Sequence, residues 1–174
     1  MREISSPLVG IVMGSDSDWP KICAAAAALD EFGVAYEVRV MSAHRTPDVV
    51  RQYATTAAAR GLKVLVAAAG GAAHLAGVVA AHTTLPVIGI PVPTELSGGL
   101  DSLLSVVQMP GDVPVATVAL GGGGPRNAGL LAVEILALSD VNLQEKLVAF
   151  KRKLTEKVAE KDAALQKVLR ETRK

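Results

Sequence analysis

The sequence predicts a three-layer α/β/α sandwich built on a central parallel sheet, followed by a long helix. The chain has 174 residues, half of them hydrophobic, which suffices for one buried core. Short apolar runs alternate along it with longer segments of helical periodicity. The apolar runs are nearly continuous, as expected for parallel strands that right-handed crossovers cover with helices on both faces.

Each strand of this sandwich is predicted from a short apolar run that turn residues bound. The predicted strands are 8–13, 36–41, 64–69, 87–90 and 115–119. The helices are predicted at 20–32, at 47 to about 60, in an apolar segment through 81, at 101–109 and at 127–138. Gly33 and Gly61 supply stops after the first two helices, because glycine readily ends a helix. Residues 1–139 are therefore expected to form one flavodoxin-like α/β domain.

Composition excludes several classes of partner. Lys and Arg number 18 against 17 Asp and Glu, so a net charge of +1 provides no basic field for nucleic acid or an anionic membrane. Aromatic residues make up 3% of the chain, too few for a base-stacking platform. The chain shows no signal peptide and no apolar run of about 18 to 20 residues, so we expect a cytoplasmic protein.

The single cysteine, Cys23, excludes an internal disulfide. We expect it to be a buried thiol within a helix. No cysteine pair or His-Cys cluster has the spacing of a structural zinc site, so we expect no metal centre.

Residues 140–174 differ from the rest because they hold ten basic and six acidic residues. An apolar stripe with helical spacing runs through them: Leu143, Leu147, Phe150, Leu154, Val158, Leu165 and Leu169. A helix of about 30 residues spans about 45 Å, whereas a domain of about 140 residues is about 35 to 40 Å across. We therefore expect a helical extension that packs partly on its own domain and partly on a neighbouring subunit.

Three predicted strands end in unusual turns, and the carboxyl edge of a parallel sheet is where ligands bind. The first turn runs from Gly14 through Ser15 to Asp18. Ser17 or Asp18 could cap the following helix, but amides at a helix start also favour a phosphate, and Asp18 could bind sugar hydroxyls. The glycine motifs of nucleoside triphosphate and dinucleotide sites are missing, which disfavours both ligands.

The second turn contains Ser42, His44 and Arg45, followed by Thr46 and Pro47. A helix start explains Thr46 as the N-cap and Pro47 as the first helical residue, but not the other three. Arg45 could bind a phosphate. His44 could exchange protons near neutral pH, since the ordinary pKa of histidine is about 6.5. A lone histidine in a loop is more often a solvated bystander.

The third turn begins with Gly70 and Gly71 and reaches His74. Paired glycines let a flat ligand lie against bare backbone, but they also suit a tight strand-to-helix turn in which His74 is packed or caps the helix. Another histidine, His82, has no such context and is expected near a helix end.

Several segments, in this order, resemble the bacterial N5-carboxyaminoimidazole ribonucleotide mutases of purine biosynthesis. They are GSDSDWP at 14–20, SAHRTP at 42–47, GGAAHL at 70–75, LPVIGIPV at 85–92 and DSLLSVVQMP at 101–110. The resemblance covers about 9–138 and departs from the family pattern at Ala68, at Ala76 and in the glycine-rich loop 121–126.

The resemblance implies an isomerase that moves a carboxylate from the exocyclic N5 to ring carbon C4 of an aminoimidazole ribonucleotide, without metal or organic cofactor. It implies that His44 is the general acid and base and that the enzyme is a homo-octamer. It implies phosphate contacts from Ser15, Ser42 and Arg45, and ribose contacts from Asp18. The residues implied around the base and carboxylate are Gly70, Gly71, Ala72, His74 and Leu75.

The same residues are compatible with three other functions. A related class joins free carbon dioxide to aminoimidazole ribonucleotide (AIR), but it carries lysine in place of Arg45 and lacks the stretch 72–75, so both features favour the mutase. A non-catalytic module that binds a phosphosugar or nucleotide could use the same crevice. An unrelated structural oligomer is a weaker option, since it leaves the polar turns unexplained.

Overall fold

The computed structural model describes residues 6–172 and contains a sheet of parallel strands in the order β2-β1-β3-β4-β5. The strands are β1 (Val9–Met13), β2 (Tyr36–Val40), β3 (Val64–Gly70), β4 (Val87–Val92) and β5 (Ala116–Thr117). The helices are α1 (Trp19–Ile22), α2 (Ala24–Phe32), α3 (Pro47–Ala57), α4 (Leu75–Ala81), α5 (Leu100–Val107), α6 (Gly124–Ala137) and α7 (Val141–Thr172). This order is that of the flavodoxin-like fold, which confirms the predicted fold class.

Successive residues of β3 point to opposite faces of the sheet, and both sets are buried. Leu65, Ala67 and Ala69 belong to a core cluster with residues of α3, α4 and α5, such as Val50 and Leu75. Helices that cover both faces explain why the strands read as continuous apolar runs rather than as alternating patterns.

The predicted element bounds agree with the structure to within a few residues, with two differences of substance. The first predicted helix is divided into α1 and α2 at Cys23, which is exposed rather than buried. The Cys23 thiol lies 3.7 Å from the Pro20 carbonyl oxygen, on the side of the helix pair away from the core. The strand predicted at 115–119 contains only Ala116–Thr117, because β5 pairs with β4 through a short edge.

The chain divides into two compact units, the first ending at Leu136 and the second beginning at Ala137. The second unit contains α7, a single helix of 32 residues. In α7 Leu143 is buried, whereas the later members of the predicted apolar stripe are exposed: Leu154, Val158, Leu165 and Leu169.

None of the helices in residues 6–172 has both the length and the apolar character needed to span a bilayer.

We expect Gly129→Ala to destabilise the first unit, because α6 and α2 approach each other closely at this glycine. A methyl group there would meet the Ala25 backbone oxygen and lie 2.8 Å from the Ala28 Cβ. Overpacking of this kind costs about 1 to 3 kcal/mol, more than the gain of about 1 kcal/mol in helix propensity. Urea unfolding of the variant measures the difference.

Gly111→Ala is the matched control, because a methyl group at Gly111 meets nothing within 4 Å. It is expected to change the free energy of unfolding by less than about 0.5 kcal/mol. A Gly129→Ala protein as stable as this control would contradict the close packing of α2 and α6.

Candidate functional site

The three unusual turns meet in one cleft at the carboxyl edge of the sheet. Its volume is about 290 Å³. It is lined by Gly14, Ser15, Asp18, Lys21, Ser42, Ala43, His44, Arg45, Ala69, Gly70, Ala72, His74, Leu75, Val92, Pro93 and Thr94. Every residue expected at the site lines this cleft except Gly71. The cleft lies where β1 and β3 diverge to their separate helices, the usual ligand position in this fold.

In the turn after β1, Ser15 rather than Asp18 supplies the helix cap. The Ser15 hydroxyl accepts a hydrogen bond of 3.3 Å from the Ser17 amide and caps the 3-10 turn Asp16–Asp18. The Asp18 side chain makes no capping hydrogen bond to α1. Its carboxylate instead accepts a hydrogen bond from the Ser15 backbone amide, which stabilises the turn. Because a carboxylate has several acceptor positions, Asp18 can also accept hydrogen bonds from a ligand in the cleft.

The pKa of the Asp18 carboxyl depends on its position at the cleft wall. Burial raises the pKa of its carboxyl above the usual range, while the ammonium of Lys21 acts in the opposite direction. Lys21 lies one helical turn further on and donates a hydrogen bond of 3.2 Å to the Pro93 carbonyl oxygen. Hydroxyl groups of a ligand would stabilise this partly buried carboxylate, because they would replace the hydrogen bonds that it has lost to water.

In the loop after β2, Thr46 closes the loop instead of capping α3. Its hydroxyl accepts from the Ser42 amide at 2.9 Å and donates to the Ser42 carbonyl at 3.1 Å. The Ser42 hydroxyl in turn accepts from the Arg45 amide at 3.2 Å. The loop therefore holds Ser42 and Arg45 side by side at the cleft.

Arg45 also joins this loop to the turn after β1. Its guanidinium donates a hydrogen bond of 3.3 Å to the Gly14 carbonyl oxygen. Because a guanidinium carries five donors, other N–H groups stay available to an anion. With the hydroxyls of Ser15 and Ser42 on the same cleft, the arrangement suits a phosphate group.

The third turn brings His74 to His44. Their Nδ1 and Nε2 atoms are 2.8 Å apart, and the rings meet edge to face with centroids at 4.9 Å. His74 is exposed and makes no capping hydrogen bond, so the alternative of a packed or capping histidine is wrong. In this contact one ring nitrogen donates its hydrogen and the other accepts it.

The sequence reasoning did not single out Lys21 and Thr94, which both line the cleft. The search for polar residues just after each strand could have found Thr94, because it follows β4 as His44 follows β2. Lys21 carried no such signal, because it lies inside a helix and reaches the cleft through a long side chain. Residues 6–172 contain no group of three or more His, Cys, Asp or Glu side chains placed to hold a metal ion.

Comparison with known proteins now gives the family. The model of the AIR carboxylase family matches residues 8–157. This chain belongs to the AIR carboxylase family. An N5-carboxyaminoimidazole ribonucleotide mutase from Mycobacterium tuberculosis is 60% identical over 162 residues, which cover 93% of this chain and 92% of that protein.

Other members of the AIR carboxylase family agree with this assignment. The N5-carboxyaminoimidazole ribonucleotide mutase of Bacillus subtilis is 60% identical over 141 residues, covering 81% of this chain and 87% of that protein. The crystal structure of PurE from Treponema denticola superimposes with a TM-score of 0.82 at 31% identity, over 91% of this chain and 98% of that one. The resemblance found in the sequence is therefore confirmed.

We expect the Asp18 carboxyl to titrate above its usual range in a ¹³C NMR experiment, because burial disfavours its charged form. Lys21→Met should raise the Asp18 pKa further, since it removes the ammonium that opposes burial. Lys63→Met is the control, because Lys63 precedes β3 and so lies at the opposite edge of the sheet. An Asp18 midpoint that does not respond to Lys21→Met would contradict this electrostatic picture.

Proposed function

We propose that this chain is an N5-carboxyaminoimidazole ribonucleotide mutase. It converts N5-carboxyaminoimidazole ribonucleotide to 4-carboxy-5-aminoimidazole ribonucleotide in purine biosynthesis. The observation that carries the proposal is the placement of His44, paired with His74, beside Arg45 in one small cleft. The mutases of the two organisms named above, each 60% identical to this chain, support the same reaction.

The substrate phosphate is proposed to lie against Arg45, Ser15 and Ser42. These supply one positive charge and two hydroxyl donors, on the wall formed by the turn after β1 and the loop after β2. Asp18, whose side chain lines the cleft, would accept hydrogen bonds from the ribose hydroxyls. Binding the remote phosphate and ribose positions the imidazole ring for reaction.

The ring and carboxylate are proposed to lie on the wall formed by the third turn. Gly70, Ala72, His74 and Leu75 line this part of the cleft, and the absent or small side chains of Gly70 and Ala72 leave room for a flat ring. Gly71 belongs to the same turn but does not line the cleft. Its φ of +69° is a left-handed conformation, which favours glycine at this position.

In the proposed reaction, protonated His44 gives its proton to the carbamate nitrogen. The bond between N5 and the carboxyl carbon breaks, and the electron pair returns to nitrogen as carbon dioxide is released. Ring carbon C4 then attacks the trapped carbon dioxide, and neutral His44 removes the proton from C4. The proton lent in the first step is thus recovered in the last, so the cycle needs no other acid or base.

Histidine suits this double role because its pKa lies near neutral pH, where both protonation states are accessible. His74 would orient the His44 ring, since its Nδ1 lies 2.8 Å from Nε2 of His44 and can accept a hydrogen bond from it. Proton transfer of this kind typically contributes about 10²- to 10⁴-fold in rate.

We expect His44→Asn to bind the ribonucleotide with nearly unchanged affinity but to lose turnover by about 10²-fold or more. Asparagine keeps the size and one polar end of histidine but cannot accept and return a proton near neutral pH. The measurement is conversion of freshly made N5-carboxyaminoimidazole ribonucleotide, with the ligand Kd from calorimetry alongside.

Two comparisons separate the alternatives. Wild-type turnover of AIR plus bicarbonate at a rate comparable to that of the carbamate would mean a carboxylase. A wild type that binds the ribonucleotide but converts neither substrate would mean a binding module. His82→Asn is the control, because His82 lies at the end of α4 and not on the cleft, and it should retain full activity.

We also propose that the enzyme acts as a homo-octamer in the cytoplasm, where its charged, phosphorylated substrate is retained. Residues 140–174 would pack on a neighbouring subunit. The exposed apolar residues of α7, such as Leu154 and Leu165, support such packing, because a row of them along one helix face is costly to leave in water.

Leu165→Glu is expected to reduce the assembled mass measured by light scattering, because it introduces a charge into the apolar stripe. Ala163→Glu adds the same charge to the opposite face of α7, about 160 to 200° around the helix, and should leave the mass unchanged. Removal of residues 145–174 should also shrink the assembly. An unchanged mass after both Leu165→Glu and the truncation would refute this role of α7.

A further inference from the structure

The turn after β3 is held from behind by the first turn of α5. Ser102 is fully buried, and no other polar or charged residue in 6–172 is buried to that degree. Its hydroxyl accepts a hydrogen bond of 2.9 Å from the Gly71 amide. One helical turn later the Ser105 hydroxyl donates to the Gly71 carbonyl oxygen at 3.3 Å. Both backbone groups of Gly71 are thereby tied to α5.

Through Asp101 the same end of α5 also holds a second segment of the cleft wall, the one that contains Thr94. Its carboxylate accepts a hydrogen bond of 2.6 Å from the Thr94 hydroxyl and another of 2.8 Å from the Ser102 amide. Thr94 follows β4 and lies beside Gly70 at the cleft, since a methyl group added to Gly70 would be 3.3 Å from the Thr94 side chain. One helix end therefore holds two neighbouring segments of the cleft wall.

This arrangement matters because of the chemistry of carbon dioxide. Carbon dioxide is small, uncharged and a poor hydrogen-bond acceptor, so a protein retains it by enclosure rather than by specific contacts. In the proposed reaction it exists as a free molecule between cleavage at N5 and attack by C4. Any widening of the wall lets it escape before the new bond forms.

We propose that Ser102 and Asp101 are positioning residues that keep the carbon dioxide enclosed during the transfer. They contact two neighbouring segments of the cleft wall and not the substrate, since neither lines the cleft. This inference rests on the proposed mutase activity. Without the Ser102 hydroxyl the Gly71 amide loses its acceptor, and the left-handed turn at Gly71 loses the bond that fixes it.

Ser102→Ala tests the inference by separating retention from catalysis. The variant is given N5-carboxyaminoimidazole ribonucleotide in buffer containing ¹³C-bicarbonate, and two products are measured per turnover. These are aminoimidazole ribonucleotide, released when carbon dioxide escapes, and ¹³C in the carboxylate of the final product. Loss of one hydrogen bond should raise both by about tenfold over wild type, after subtraction of an enzyme-free reaction.

Thr117→Val is the matched control, because the Thr117 hydroxyl donates to the Val106 carbonyl at the other end of α5. It removes one hydrogen bond from the same helix but leaves the turn at Gly71 intact, so it should retain carbon dioxide as wild type does. Asp101→Asn provides a second variant, since it weakens the acceptor of Thr94 without emptying a buried position.

The outcomes are distinct. A wild type that does not convert the carbamate refutes the proposed function itself. A wild type that converts it without exchange, together with Ser102→Ala and Asp101→Asn variants that release no more aminoimidazole ribonucleotide and incorporate no more label, overturns only the role of α5. If Thr117→Val released as much aminoimidazole ribonucleotide and incorporated as much ¹³C as Ser102→Ala, the role of α5 would also be overturned. The effect would then come from general destabilisation of the helix.

Discussion

The parallel register of β1 with its two neighbours is the constraint on which the site depends. Met13, the last residue of β1, pairs with Val40 of β2 and with Ala68 of β3. The ladder continues one step beyond the strand, where the Gly14 amide donates to the Ala68 carbonyl at 3.2 Å. Because these hydrogen bonds fix where all three strands end, they also fix where the three turns begin. A slip along the strands would separate the turns that together form the cleft.

The loops that line the cleft are held in place by hydrogen bonds to their backbone. Hydrogen bonds from Thr46 close the loop after β2, Arg45 ties that loop to Gly14, and Ser102 ties the turn after β3 to α5. Such support lets short polar side chains stay at fixed positions while facing solvent. A proton carrier such as His44 benefits directly, because proton transfer requires donor and acceptor atoms within about 3 Å.

Small residues make this compact arrangement possible. The α2–α6 approach at Gly129 leaves no room for a methyl group, and Gly89 in β4 lies against Val106 of α5. Close approach brings helix ends near the sheet edge, so the hydroxyls at the start of α5 can reach the turn at Gly71. The alanine-rich, aromatic-poor composition is therefore connected to the geometry of the cleft and not only to the stability of the core.

The sequence by itself determined the fold class, the order of strands and helices, and the turns that carry the polar residues, because hydrophobic periodicity and helix-ending residues act locally. It also carried the family resemblance, since His44 and Arg45 lie in one short motif. Only the tertiary structure decided which side chains of neighbouring turns meet, since such contacts depend on packing across the whole chain. Packing placed His74 2.8 Å from His44, 30 residues away in sequence. It likewise decided that Cys23 is exposed, because which side of a helix meets the core is settled by its neighbours.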